Sequence, residues 1–322
     1  MCGIYGFAGT PKDTKKVANL MKQLAIETEE RGIHSTGYVA QNSKSFYFAK
    51  KAVRASTFVE MYAFEKPIVE GRCHFFVGHN RWASCGEIND INAHPFRGSK
   101  YFLVHNGTCS GAPSMAKTAG LEVKGTTDSE AVLHLIEKEG GVEKADALMN
   151  NFCDFSLVLM DYRKGHDMIY FLRDNGKPMV IFDLRRSLGI RVFASTRDIV
   201  VRALLTAKIV DPKTAKRVIE KSWSTKVGYK YQMDATGELT NMGQFLTAAN
   251  TLENTTRRPF PAISKEEWYQ GLGLVTGLGG YYAKQAKTET TTEDNQWMTD
   301  YRNRICNRDY RRYLDRRKIN EN

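Results

Sequence analysis

The chain has 322 residues, 42% of them hydrophobic and 26% charged, enough to bury a sizeable core in one large or two unequal domains. No apolar run reaches the length of a membrane span and no basic-then-apolar leader opens the sequence, which points away from a membrane and towards the cytoplasm. The net charge of +11 suits nucleic acid, an acidic partner or plain solubility, while the six cysteines (Cys2, Cys73, Cys85, Cys109, Cys153, Cys306) lack CxxC pairs or His-rich neighbours and read as reduced thiols, neither a zinc site nor a disulfide framework.

The opening MCGIYGFAG reads as a short apolar strand. Residues 14–30 predict a helix with Val17, Leu20, Met21 and Leu24 on one face and Asp13 or Thr14 as its cap. Strand-like runs follow at STGYVA (35–40), SFYFAK (45–50), CHFFVGH (73–79) and YFLVHNG (101–107). A second helix is expected within 125–141, where Val132, Leu135 and Ile136 share a face and Gly140 and Gly141 stop it. Further strands are expected at 155–161, 168–174, 178–183 and 191–195, a helix at 198–207, and a hairpin over 227–242 turning at Asp234–Gly237. The pattern is that of an α+β layered domain covering residues 1–250. Residues 251–322 form a separate, basic extension, with a linker-like start, a capping box from Ser264 to Glu267 and a closing Tyr- and Arg-rich helix. Its last 26 residues hold eight Lys or Arg against four Asp or Glu.

Each residue type that could carry chemistry also has a plain reading. Cys2 can be an edge-strand residue, yet removal of Met1 would put a thiol and a free α-amine on one residue. A thiol titrates near ~8.5 and an α-amine near ~7.7–8.0, so the pair is matched for proton exchange. Asn106-Gly107 is a strong turn signal, Asp128 suits the start of a helix, and Arg81 suits a surface ion pair.

Taken together and in order, MCGIYGFAG, Arg31-Gly32, His79 to Trp82, Asn92 to Pro95, His105 to Gly107 and Thr127 to Glu130 resemble the class II glutamine amidotransferases, and most closely the glutaminase domains of the glucosamine-6-phosphate synthases. The resemblance covers roughly residues 2–245. It implies a four-layer αββα sandwich of the N-terminal-nucleophile (Ntn) hydrolase type with two antiparallel sheets, the C-terminal extension standing outside it as a small helical addition.

It also implies an enzyme in which Cys2 is nucleophile and, through its amine, base, while Asn106 and Gly107 hold the oxyanion. Arg81 would grip the α-carboxylate of glutamine and Asp128 its α-ammonium. Trp82 and Ser84 would belong to a loop closing over glutamine, His94 would shape the pocket, and Arg31 would support the Cys2 turn from behind. Where the synthases read RWATHG, this chain reads Arg81-Trp-Ala-Ser-Cys85-Gly86.

No cofactor and no metal ligand set is implied. The implied partners are glutamine and a separate ammonia-accepting synthetase, because residues 251–322 carry no synthetase motif. Acidic residues interleaved in the tail (Asp300, Asp309, Asp315) favour a docked helix over nucleic-acid binding. Two other readings stand beside this one: a stand-alone γ-glutamyl amidohydrolase, and an inactive Ntn fold used for binding.

Overall fold

A computed structural model of the chain describes residues 1–149, 155–174 and 177–245. Strand β1 (Gly3–Gly9) leads into helix α1 (Thr14–Glu27), then strands β2 (Ser35–Gln41) and β3 (Phe46–Lys51), helix α2 (Ala55–Met61) and strand β4 (Phe75–Arg81). A two-residue strand β5 (Phe96–Arg97) precedes β6 (Tyr101–Gly107), followed by helices α3 (Ala112–Thr118), α4 (Asp128–Lys138) and α5 (Asp146–Met149). The second half runs β7 (Phe155–Asp161), β8 (Met168–Arg173), β9 (Val180–Leu184), α6 (Arg185–Leu188), β10 (Ile190–Ala194), α7 (Arg197–Thr206), α8 (Pro212–Glu220), β11 (Trp223–Ser224), β12 (Tyr229–Asp234) and β13 (Leu239–Gln244).

These strands make two antiparallel sheets, ordered β11-β9-β10-β1-β4-β2-β3 and β13-β12-β8-β7-β6-β5. Alternation along each strand sends one set of side chains between the sheets and the other outward. Ile4, Val77 and Phe193 of the first sheet meet Val104, Val158 and Phe171 of the second in a shared core. Leu103, Leu157 and Leu159, one position along, instead pack on Ala131, Val132 and Leu135 of α4. On the far side α1 and α7 lie against each other and against β1 and β10. The result is helix, sheet, sheet, helix: four layers.

Asp13 caps α1 by accepting from the Lys16 N–H at 3.0 Å, and Val17, Leu20, Met21 and Leu24 are buried, as the periodicity predicts. Each such side chain stabilises the fold by about 1.5–3 kcal/mol of burial. The helix ends three residues earlier than expected, in a 3₁₀ turn at Thr28–Glu30. Helix α4 stops at the expected glycines, whose N–H groups return to Glu137 and Ile136 carbonyls. The hairpin turns where predicted, with the Asp234 carboxylate accepting from Thr236 and Glu238. Strand β4 runs two residues beyond the predicted stretch, to Arg81. Helices α2, α3, α5, α6 and α8 and the two-residue strands β5 and β11 are not among the elements expected from the sequence. The expected linker, capping box and basic terminal helix lie outside the described residues. Among the described residues no helix is long and apolar enough to cross a membrane.

Candidate active site

Strand β1 is central in its sheet, paired with β10 on one side and β4 on the other. Its register sets Gly3 opposite Asn80, so Cys2 falls beside the end of β4. The Trp82 N–H donates to Cys2 Sγ at 3.3 Å, the thiol lies 3.4 Å from the Trp82 carbonyl, and Arg31 Nε donates to the Cys2 carbonyl at 2.8 Å. Gly3 permits this approach: a Cβ there would sit 2.1 Å from Thr28 Cγ2. Burial pushes the Cys2 thiol pKa up; the Trp82 N–H and the positive charges of the N-terminus, Arg81 and Arg31 pull it back. Burial also lowers the pKa of the Met1 α-amine.

Arg81 is buried at the end of β4. Its guanidinium donates to the Glu87 carbonyl at 2.9 Å and to the Cys85 carbonyl, holding the loop that follows, and it lies within electrostatic reach of Cys2, Cys85 and Asp128. On that loop Trp82 is 46% exposed and packs on the His34 ring at 4.7 Å, and Ser84 is exposed.

The end of β6 supplies His105, Asn106 and Gly107. Gly107 has φ +145°, a backbone conformation that favours glycine. Asn106 Nδ2 donates to Ser195 Oγ at 2.9 Å, and the same oxygen accepts from the Ile4 N–H at 2.9 Å. One serine thus joins β1 in the first sheet to β6 in the second. Nδ2 carries two N–H groups, and Ser195 Oγ takes one of them.

Asp128 opens α4, after Thr127. Oδ2 accepts from the Cys109 N–H; Oδ1 lies 3.4 Å from Ser129 Oγ and 3.9 Å from the Cys85 thiol. The helix-start reading and the site reading of Asp128 therefore describe one position. Asn92 ties its own loop to the segment before Asp128 through Thr126, donating to Oγ1 at 2.9 Å and accepting from the N–H at 2.9 Å.

His94, ahead of a cis bond to Pro95, is buried against His79 with ring centres 4.1 Å apart and against Phe96 at 4.8 Å. No hydrogen bond joins His94 or Ser84 to Cys2, Arg81 or Asp128 among the described residues. Burial holds both imidazoles neutral, His79 lowered from 6.5 to about 3 and His94 well below its usual value. In the unfolded chain both titrate near pH 6.5. Below that pH the unfolded chain gains protons that the native state refuses, so stability is lost as pH falls, by up to roughly 1.4 kcal/mol per pH unit for each ring. Denaturant midpoints are expected to drop between about pH 7 and about pH 5, and His94→Phe to flatten part of the drop. A midpoint constant across that window would contradict the assignment.

The fold thus gathers Cys2, Arg31, Arg81, the Trp82 backbone and Asp128 at one end of the two sheets and links Asn106 to the Cys2 strand. Ser195 and Cys109 stand outside the motifs read from the sequence, and His105 and Ser129 enter there only as members of the runs His105 to Gly107 and Thr127 to Glu130. No spacing in the sequence marks Ser195, which becomes visible only once the register of β1 on β10, Tyr5 opposite Ala194, is known.

No family profile matches the chain. It is 32% identical over 191 residues, 56% of its length, to the glutamine–fructose-6-phosphate aminotransferase (isomerizing) of Thermococcus kodakarensis, of which the match covers 30%. The protein of that name from Sulfolobus acidocaldarius is 31% identical over 191 residues, covering 56% of this chain and 31% of the relative. Among solved structures, the glutamine phosphoribosylpyrophosphate amidotransferase of B. subtilis, complexed with ADP and GMP, superposes with a TM-score of 0.54 at 16% identity, over 76% of this chain and 49% of that one. A structure described as the allosteric regulatory enzyme of purine biosynthesis gives 0.55 at 18%, with coverage of 76% and 49%. Over those 191 residues the chain is similar to glutamine–fructose-6-phosphate aminotransferases. Its four layers are those of the Ntn-hydrolase fold, and the likeness to the solved structures carries that fold alone. The chain spans about 30% of the length of the curated relatives it matches.

Proposed function

We infer that the chain hydrolyses the side-chain amide of glutamine to glutamate and ammonia, with residues 1–250 as the glutaminase domain. The observation that supports this most is the position of the Cys2 thiol, against the Trp82 backbone and within electrostatic reach of Arg81, which in turn senses Asp128. A thiol nucleophile, an anion-gripping guanidinium and a cation-gripping carboxylate are what an α-amino acid bearing a scissile amide requires.

In this reading removal of Met1 frees the Cys2 α-amine, which takes the thiol proton, directly or through water. The thiolate attacks the amide carbon, and the oxyanion is held by the remaining Asn106 N–H and the Gly107 N–H. The ammonium of Cys2 returns its proton to the departing nitrogen, releasing ammonia and leaving a glutamyl thioester. Water, deprotonated by the same amine, attacks the thioester; glutamate leaves and the thiol is restored. Trp82 and Ser84 form the loop that closes over glutamine, His94 shapes the wall behind it, and Arg31 braces the Cys2 carbonyl. The ammonia goes to a separate acceptor enzyme in the cytoplasm.

Intact-mass analysis of the purified chain treated with a glutamine-analogue electrophile tests the reading. The expected result is a mass lacking Met1 with a single adduct, mapped to Cys2 by peptide analysis. Quantitative retention of Met1, or labelling at another cysteine, would sink it.

A further inference from the structure

We propose that His105, Cys109 and Asp128 form a binding site for a thiophilic divalent cation, Zn2+ by its donor chemistry. One ligand atom from each of these three buried residues lies within 4.8 Å of the other two. Cys109 Sγ is 3.9 Å from His105 Nε2. A zinc ion bound at about 2.3 Å from sulfur and about 2.0–2.1 Å from nitrogen would bring those atoms to roughly 3.5 Å, a small adjustment.

The surroundings suit a metal. His105 Nδ1 pairs with Ser129 Oγ at 2.9 Å, which leaves Nε2 on the Cys109 side. Ser129 Oγ in turn lies 3.4 Å from Asp128 Oδ1, so one hydroxyl orients two of the three donors. Such outer partners set the imidazole tautomer and strengthen the ligands. The set of one nitrogen, one sulfur and one carboxylate oxygen is borderline in softness, as zinc prefers. Cys85, exposed on the loop after β4, has its thiol 3.9 Å from Asp128 Oδ1, the nearest further sulfur to the three donors. On binding, the Cys109 S–H bond breaks, its proton goes to solvent, and a sulfur–metal bond forms. Thiolate and carboxylate then cancel the charge of the ion.

One consequence rests on the proposed function. Asp128 serves both the cation and the α-ammonium of glutamine, so zinc and glutamine exclude each other and the ion is an inhibitor of this chain.

The test uses the full chain carrying Cys2→Ala, which removes the thiol that could chelate metal at the N-terminus, titrated with Co2+ as a spectroscopic probe. A near-ultraviolet thiolate-to-cobalt band, displaced by stoichiometric Zn2+, is expected. Adding Cys109→Ser should abolish the band or weaken binding at least tenfold. Ser129→Ala, which keeps all three ligands, should weaken it by about 10–100-fold and carries the test if Cys109→Ser does not fold. No band, or a band unchanged by the available variant, overturns the site. With Cys2 intact, Zn2+ should inhibit ammonia release competitively with glutamine, and Cys109→Ser should relieve this at least tenfold. Cobalt binding without such inhibition supports the cation site and overturns instead the role of Asp128 in holding glutamine.

Discussion

Cys2→Ala is expected to reduce glutamine-dependent ammonia release by at least about 10⁴-fold, with the loss in kcat, because the thioester has no other atom on which to form. Cys2 stands ahead of β1, half-exposed, and among the described residues its side chain bonds to the Trp82 backbone. The unfolding midpoint should therefore stay close to that of the parent, as for substitutions outside the core. That pairing of lost activity and kept stability separates a chemical role from a structural one. Ammonia release at the parental rate in the Ala variant would end the glutaminase reading outright and leave the fold as a binding scaffold.

Asp128→Asn is expected to lower kcat/KM for glutamine roughly 10²-fold, chiefly through KM, since truncating one partner of a desolvated charge pair costs about 2–5 kcal/mol. The amide keeps an oxygen for the Cys109 N–H, so the turn at the start of α4 is preserved and the change reports on charge. A substrate analogue lacking the α-amine provides the internal control. The parent and the Asn variant should handle it nearly alike. Equal losses on glutamine and on the analogue would return Asp128 to a helix-start role, and an unchanged KM for glutamine would do the same.

Much of the fold was legible in the sequence because its signals are local. The apolar face of Val17, Leu20, Met21 and Leu24 with Asp13 ahead of it specifies α1, and the Asp234 to Gly237 turn specifies the last hairpin. Helices α2 and α3 span seven residues each, two turns, too few for an apolar period to stand out from loop sequence. The strand expected at 73–79 stops short of Asn80 and Arg81 because both look polar, whereas both are buried at the end of a central strand. Cys2, Arg81, Asn106, Gly107 and Asp128 could be singled out as a set only through their resemblance to a known pattern. Their partners could not. Cys109 and Asp128 are 19 residues apart and lie on either side of helix α3, and Ser195 is 89 residues from Asn106. Such pairings belong to the topology of the two sheets, which no window of sequence contains.

Ser195 imposes a polarity on that topology. Its oxygen accepts from both Ile4 and Asn106, which leaves its single proton directed at the Ile4 carbonyl 3.4 Å away. A rotated Asn106, presenting oxygen in place of nitrogen, would have to capture that proton and strip it from β1. One hydroxyl hydrogen therefore acts as a latch on the orientation of an amide in the opposite sheet. Sliding of one sheet over the other would strain this serine's bonds to Ile4 and Asn106 together.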